Sequence, residues 1–253
     1  MPASLTDLVQ VASEELRLST TPDYPQALNG LQLTNGSNQV TRIVAAVDAC
    51  LPVVRAAVDC KSDLLIVHHG LFWSGAQLIT GSLYEKLKLA MEHNLAIYSA
   101  HIPLDVHPTL GNNACLAAAL NLGETEPFFS WKGIQLGVRA SVDLTRDELL
   151  ARVIAATGAT AHLCPGGPER IRSVGIITGG AGSEIFAMAE TGVDTFITGE
   201  GPHWSYTAAE ELGLNVIYGG HYATETFGVK ALSTWLSERY DLPWEFVDHP
   251  TGL

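Results

Sequence analysis

The sequence predicts a layered α/β protein made of two similarly built lobes, each a mixed sheet flanked by helices. Three observations predict it. Apolar runs of strand length alternate with helical patterns along most of the 253 residues. Some runs, such as Leu64-Leu65-Ile66-Val67, are apolar without interruption, as strands are when helices cover both faces of their sheet. The second half also repeats the first. Asp63, Ile66, Gly70 and Trp73 recur as Asp194, Ile197, Gly201 and Trp204, each pair offset by 131. The same offset carries Ile43, Ala45, Val54 and Ala57 onto Val174, Ile176, Ile185 and Met188. A period this long marks one two-fold duplication, not a solenoid. The lobes are expected at residues 1–126 and 127–253, with the C-terminal helix able to pack back on the first.

Ser4-Leu5-Thr6-Asp7 resembles a capping box with Asp in place of Glu. Leu5, Leu8, Val9, Ala12 and Leu16 follow at helical spacing, so residues 5–17 are predicted as an amphipathic helix. Residues 19–38, rich in Pro, Asn, Gly and Thr, predict loop with one short strand. Residues 43–47 are a strand, and 51–58 a helix with Pro52 in its first turn. Residues 64–67 form the next strand, 82–93 a helix, 96–99 a strand, and 113–120 an Ala-rich helix ended by Asn121-Leu122-Gly123. Residues 135–142 then read as a strand and 146–156 as a helix. The second half repeats the scheme, with strands near 174–177, 195–198 and 215–218, and helices near 183–190, 204–212 and 226–240. A last strand is expected at 244–247.

The formal charge of −13 argues against a general nucleic-acid or anionic-membrane surface, which would need clustered Lys and Arg. A single nucleotide remains possible as ligand where bound metals supply positive charge. There is no run of 18 apolar residues and no basic region followed by an apolar stretch at the N-terminus, so neither a transmembrane helix nor a signal peptide is expected. Cys50, Cys60, Cys115 and Cys164 form no C-x-x-C pair and read as buried reduced thiols of a cytoplasmic protein.

The chemistry lies in a phrase that occurs twice. Ile97-Tyr98-Ser99-Ala100-His101-Ile102-Pro103-Leu104-Asp105 and Ile217-Tyr218-Gly219-Gly220-His221-Tyr222-Ala223-Thr224-Glu225 each place an imidazole and a carboxylate four residues apart after an apolar strand. His68-His69-Gly70 follows another such strand. Together these supply four imidazoles and two carboxylates, about the complement two borderline divalent ions need. A lone His after a strand is more often a buried polar residue than a ligand; the matched phrases outweigh that. Neighbouring strand side chains point to opposite faces, so His68 and His69 are expected to serve different ions. Asp105 or Glu225 has two oxygens with which to bridge them. Pro103 and Pro108 favour a loop around Asp105, whereas His221 and Glu225 can open the final helix.

In the second copy, Gly199-Glu200-Gly201 stands where the first has His-His-Gly. Glu200 is a candidate general base and His203 a candidate acid for a leaving group. Equally, Glu200 can simply hold a ligand His in its tautomer. The turn Thr178-Gly179-Gly180-Ala181-Gly182-Ser183 lacks a Walker lysine and reads first as a tight strand-to-helix connection, second as a phosphate cradle. His93, His107, His162 and His249 are left as surface or unassigned residues, and Phe128, Phe129, Trp131, Trp204 and Tyr206 as core or interface.

The ordered set Val67-His68-His69-Gly70, Ser99-Ala100-His101 with Leu104-Asp105, Gly179-Gly180-Ala181-Gly182, Thr198-Gly199-Glu200 and Gly220-His221-Tyr222-Ala223-Thr224-Glu225 resembles the NGG-one-interacting-factor-three-like proteins, also named GTP cyclohydrolase I type 2 homologues. The resemblance spans nearly the whole chain. It implies His68, His69, Asp105, His221 and Glu225 as dinuclear ligands, with His101 as a further ligand or near neighbour. It also implies two α/β lobes with the metals in the cleft between them, and a toroidal homohexamer. The inserted domain of longer members has no room in this chain. Asn29-Gly30-Leu31-Gln32 keeps only the second half of the family's Asp-Asn-x-Gly-Leu phrase.

These features predict a metal-dependent hydrolase of a small anionic, nucleotide- or pterin-like substrate. Imidazole and carboxylate ligands suit zinc, iron, manganese or nickel. The alternative is a non-enzymatic metal-binding or regulatory assembly that presents a surface to a protein partner.

Overall fold

The computed structural model describes residues 2–253. They form two compact units. The first runs to Leu104 and takes back Gly228–His249; the second comprises Asp105–Phe227 and Pro250–Leu253. Residues 105–126 therefore group with the second unit, and most of the long C-terminal helix with the first.

The chain opens with β1 (Ala3–Ser4), α1 (Leu5–Glu15), β2 (Gly30–Leu33), β3 (Gln39–Val40), β4 (Ile43–Asp48), α2 (Leu51–Asp59), β5 (Leu64–His69), α3 (Gly81–Glu92) and β6 (Ala96–Ser99). A short helix α4 (Ile102–Asp105) leads on to α5 (Asn112–Ala119), β7 (Thr125–Trp131), β8 (Ile134–Thr145), α6 (Arg146–Thr157), β9 (His162–Pro165) and β10 (Arg170–Ile176). Next come α7 (Ile185–Glu190), β11 (Thr195–Thr198), α8 (Trp204–Leu212), β12 (Asn215–Tyr218), α9 (His221–Thr224), α10 (Thr226–Tyr240) and β13 (Trp244–Phe246). No helix among the described residues is long and apolar enough to cross a membrane.

In the first unit the sheet order is β13-β4-β5-β6-β2. The first four strands are parallel and β2 is an antiparallel edge. Val44, Ala46, Leu65, Val67 and Ile97 share one face by strand alternation and pack on Val53, Val54 and Ala57 of α2. In the second unit the order is β7-β8-β10-β11-β12-β9, with β10, β11 and β12 parallel. Val174, Ile176, Ile197 and Ile217 meet Leu116 of α5, Leu120 just after it, and Leu149 and Val153 of α6. Both sheets are thus mixed and helix-flanked, and β4 and β5 at the centre of the first carry uninterrupted apolar runs.

Besides the two-residue strands β1 and β3, two strands escape the hydrophobic pattern. β7 shows mostly exposed or half-buried residues and carries Pro127, which suits an edge. It is fixed by a hairpin to β8 through Lys132 and Gly133, both at positive φ (44° and 85°), the mark of a type I′ turn. β9 is an antiparallel edge of four residues. The loop expected around Asp105 is instead α4, because Pro103 sits in its first turn, where a missing N–H breaks no helical bond. Ser4 caps α1 by accepting from the Asp7 N–H, but only that half of the capping box forms. The full box is at Thr145 and Glu148 of α6.

The offset of 131 reappears in the sheets. Ile43 pairs with Leu64 as Val174 pairs with Thr195, and Ala45 with Ile66 as Ile176 with Ile197. Asp63 Oδ2 accepts the Thr41 N–H at 2.6 Å, and Asp194 Oδ2 accepts the Arg172 N–H at 2.6 Å. Both repeated aspartates therefore fasten the chain two residues before an equivalent ladder residue, Ile43 in one copy and Val174 in the other. The third strand breaks the match: Ile66 pairs with Tyr98, but Ile197 pairs with Ile217. Against the ladder, the two copies of the His phrase are one residue out of step, which turns equivalent side chains to opposite faces.

Candidate metal centre

In the first unit the donors gather at the carboxyl ends of parallel strands, where open α/β sheets place their sites. β5 ends in His68 and His69, and His101 follows β6. All three are buried. Each Nδ1 is tied back: His68 to the Ala100 carbonyl at 2.9 Å, His69 to Asp48 Oδ1 at 2.9 Å, and His101 to Asp23 Oδ1 at 2.8 Å. Such anchoring fixes the tautomer and makes Nε2 the atom that could hold an ion. The three donor atoms lie within 4.8 Å of one another. At that spacing an ion centred among them would sit about 2.8 Å from each, so shifts of under ~1 Å reach bonding distance. The residues fit a divalent ion. The expectation that His68 and His69 point apart needs correction, since their ring centroids are 4.8 Å apart. His69 is drawn to the end of β4 and His68 to the residue after β6, so both rings stay at the strand ends.

Asp23 was missed in the sequence. Its carboxylate, deep in the unit, accepts from His101 Nδ1, from the Ile102 N–H at 3.0 Å and from Asn29 Nδ2 at 2.7 Å. Burial pushes its pKa up, but His101, Asn29 and the Tyr24 N–H outweigh that and hold it below its ordinary value. Asn29 Oδ1 also accepts the His101 N–H at 2.7 Å. The acid sought beside Asn29 thus lies six residues upstream. Gln32 completes the phrase: its amide accepts the Leu71 N–H and donates to the Ala27 and Leu28 carbonyls. A Cβ at Gly70 would lie 2.3 Å from that amide, which explains the glycine of His-His-Gly. Trp73 covers His101 and His69, with centroids at 4.3 and 4.8 Å.

In the second unit His221 opens α9 and stands between two carboxylates, with Nδ1 2.9 Å from Glu200 Oε1 and Nε2 3.2 Å from Glu225 Oε2. Burial lowers its pKa, but Glu225 and then Glu200 overcome this and raise it to about 9. Glu225 is buried and falls in a break between α9 and α10. Gly179, at φ +71°, makes room for it: a Cβ there would lie 2.2 Å from Glu225 Oε1. The adjacent Thr178 hydroxyl donates to Asp105 Oδ1 at 3.5 Å, and Asn112 Nδ2 donates to the same oxygen at 2.7 Å. The Gly-rich turn therefore wraps side-chain carboxylates.

Glu200 binds His221 directly, whereas His203 is exposed just ahead of α8. His107 is buried, not a surface residue; its Nδ1 accepts the Thr109 and Leu110 N–H groups. Cysteine burial is also less than expected: only Cys164 is fully buried, although all four thiols are free. Trp204 is exposed and stacks on the equally exposed Phe186 at 5.9 Å.

The sequence profile described as Duf34/NIF3 (NGG1p interacting factor 3) matches residues 3–251. The chain belongs to that family. Among Duf34/NIF3 relatives, the GTP cyclohydrolase 1 type 2 homolog of Deinococcus radiodurans is 41% identical over 98% of this chain and 94% of its own. The homolog of that name in Escherichia coli K12 is 40% identical over 97% and 98%. The crystal structure of TTHA1606 from Thermus thermophilus superposes with a TM-score of 0.89 at 38% identity, covering 99% of this chain and all of the other. The Duf34/NIF3 assignment agrees with the resemblance carried by the His-His-Gly and Gly-His-Tyr-Ala-Thr-Glu phrases.

Proposed function

We propose that the chain is a dinuclear metal-dependent hydrolase of a small anionic, nucleotide- or pterin-like substrate. In this reading His68, His69, His101, Asp105, His221 and Glu225 hold two divalent ions of zinc, iron, manganese or nickel in a cleft shared by two duplicated lobes. The observation that carries it is the buried trio of imidazoles with every Nδ1 fixed, a costly arrangement for groups with no ligand role. The repeated strand register and the paired Asp63 and Asp194 support the duplication. The relatives' name supports the substrate class. Four free cysteines suit a reducing cytoplasm.

Bound ions would supply Lewis acidity and an activated water. The chain's residues do the rest. Asp48, Asp23 and Glu200 orient His69, His101 and His221 through Nδ1. Glu200 is therefore a positioning residue before it is a base. Trp73 shields His69 and His101 from solvent. His203, exposed ahead of α8, takes no step in this reading.

The test is elemental analysis of the purified protein with turnover assays on nucleotides, pterins, amides and phosphoesters. About two ions per chain, and hydrolysis lost in His69→Ala, are expected. Metal-free protein, or metal-loaded protein inert on the whole panel, sinks the reading. The second reading, a non-enzymatic assembly such as the homohexamer implied by resemblance, is favoured by the exposed Phe186–Trp204 stack, the kind of surface a partner covers. Inert protein whose oligomer dissociates in Trp204→Ala would favour it.

A further inference from the structure

We propose that a recess beside His69 is a phosphoryl-binding subsite, with Lys86 as its cation. The recess lies wholly within the first unit and encloses about 200 Å³. Its lining includes Asp48, His69, Ser74, Gln77, Ser82 and Lys86. Pockets for drug-sized ligands start at roughly 300 Å³, so this one suits the anionic end of a substrate whose remainder extends past Trp73 and out of the recess.

Lys86 is the informative residue. It is half-buried on α3, and its ammonium donates to the Ala49 carbonyl at 2.7 Å. It has no carboxylate partner among the described residues. Burial pushes its pKa down, the sign of a charge drawn from water without full compensation. A carbonyl needs only one neutral donor, so the structural contact leaves the charge unexplained. An ammonium has three donors, and two remain for a ligand. Ser74, Gln77 and Ser82, which line the same recess, are of types that can add neutral donors.

Asp48 decides between a carboxylate and a phosphate as the occupant. Its Oδ1 is tied to His69, so a bare carboxylate ligand would meet its other oxygen as like against like. A phosphoryl group titrates near neutral pH and can carry one proton. It can offer P–O⁻ to Lys86 and P–O–H to Asp48 together. Lysine also suits phosphate as a compact point charge. The assignment deepens the hydrolase reading by putting the phosphate of a phosphorylated substrate next to His69, and its test does not need turnover.

The experiment is a ³¹P NMR titration of inorganic phosphate with the full chain, both as purified and after chelation. Saturable millimolar line broadening is expected in both states. Lys86→Gln, which keeps a donor for Ala49, should weaken it roughly ten- to hundredfold, the loss of one charge-assisted bond. Lys88→Gln, which removes an exposed charge one residue beyond Leu87, should leave it unchanged, and unchanged melting temperatures confirm folding. No broadening in the chelated wild-type protein, or equal weakening by the two variants, overturns the subsite. Displacement of phosphate by acetate at equal concentration and ionic strength overturns the phosphoryl assignment. Inert metal-loaded protein would sink the hydrolase reading and leave this binding standing; loss of phosphate binding with turnover intact would do the reverse.

Discussion

Replacing Gly179 by alanine tests whether the Gly-rich turn exists to admit Glu225. Two costs can be separated. The residue sits at φ +71°, where an L side chain loses about 1–2 kcal/mol. Its Cβ would also lie 2.2 Å from Glu225 Oε1 and 3.2 Å from Glu225 Cδ. The carboxylate must retreat by about 1 Å, and Glu225 is buried, so overpacking adds roughly 1–3 kcal/mol. The sum of about 2–5 kcal/mol lowers the melting temperature by roughly 5–20 °C for a protein of this size. Gly213→Ala isolates the backbone share, because Gly213 has φ +67° with nothing within 4 Å of its Cβ. A calorimetric double-mutant cycle with Glu225→Ala completes the measurement. Once the carboxylate is gone, Gly179→Ala should cost no more than Gly213→Ala. If its cost is the same with and without Glu225, the turn was not shaped around that side chain and the reasoning fails.

Asp23→Asn removes the charge behind His101 while keeping the shape, and should weaken metal affinity about 10- to 100-fold in competition with a chromophoric chelator; unchanged affinity would show that His101 is not a ligand. Asp63→Ala and Asp194→Ala each remove an acceptor from a backbone N–H at 2.6 Å, and urea unfolding should report about 1–2 kcal/mol for each; costs differing by more than ~1 kcal/mol would count against equivalent roles. The Cys164 thiol is raised by burial to about 11, two units above its ordinary value of 9.0, so its thiolate fraction at pH 8 falls about a hundredfold. Native protein should alkylate there at least that much more slowly than unfolded protein, as peptide mapping would show; equal rates would contradict the burial.

The central strands of the first sheet were legible because burial on both faces imposes uninterrupted apolar runs, as in Ile43 to Val47 and Leu64 to Val67. The edges were not. β7 and β9 face solvent on much of their surface, and what fixes β7 is the left-handed pair Lys132-Gly133. The imidazoles of the site could be read because each closes or follows a strand. Their carboxylate partners could not, because the pairing is tertiary: Asp23 lies 78 residues from His101, and Asp48 21 residues from His69. Glu200 was visible as a candidate base, but only geometry assigns its oxygen to His221. The one-residue slip of the third strand was equally hidden, since the two copies of the phrase match in letters while their ladders do not.

The duplication we propose accounts for the difference between the two donor sets once the ladder is used as the ruler. Asp48 and His69 are paired residues at the ends of β4 and β5, and they bond to each other. At the offset of 131 their counterparts are Gly179 and Glu200. The second unit thus lacks a carboxylate at the first position and has one at the second. Each change has a consequence in the structure. Without a side chain at Gly179, the space that Asp48 fills in the first unit admits Glu225 from the break after α9. With Glu200 at the end of β11, a carboxylate is available to the next strand over, where His221 follows β12 one ladder position later than His101 follows β6. The same carboxylate–imidazole unit is built in both halves, between the first and second strands in one and between the second and third in the other. Loss of the acid at either place would leave the Nδ1 of His69 or His221 without its carboxylate. Under the proposed duplication the two exchanges and the slip of the third strand go together, and the halves keep one architecture while presenting different donors.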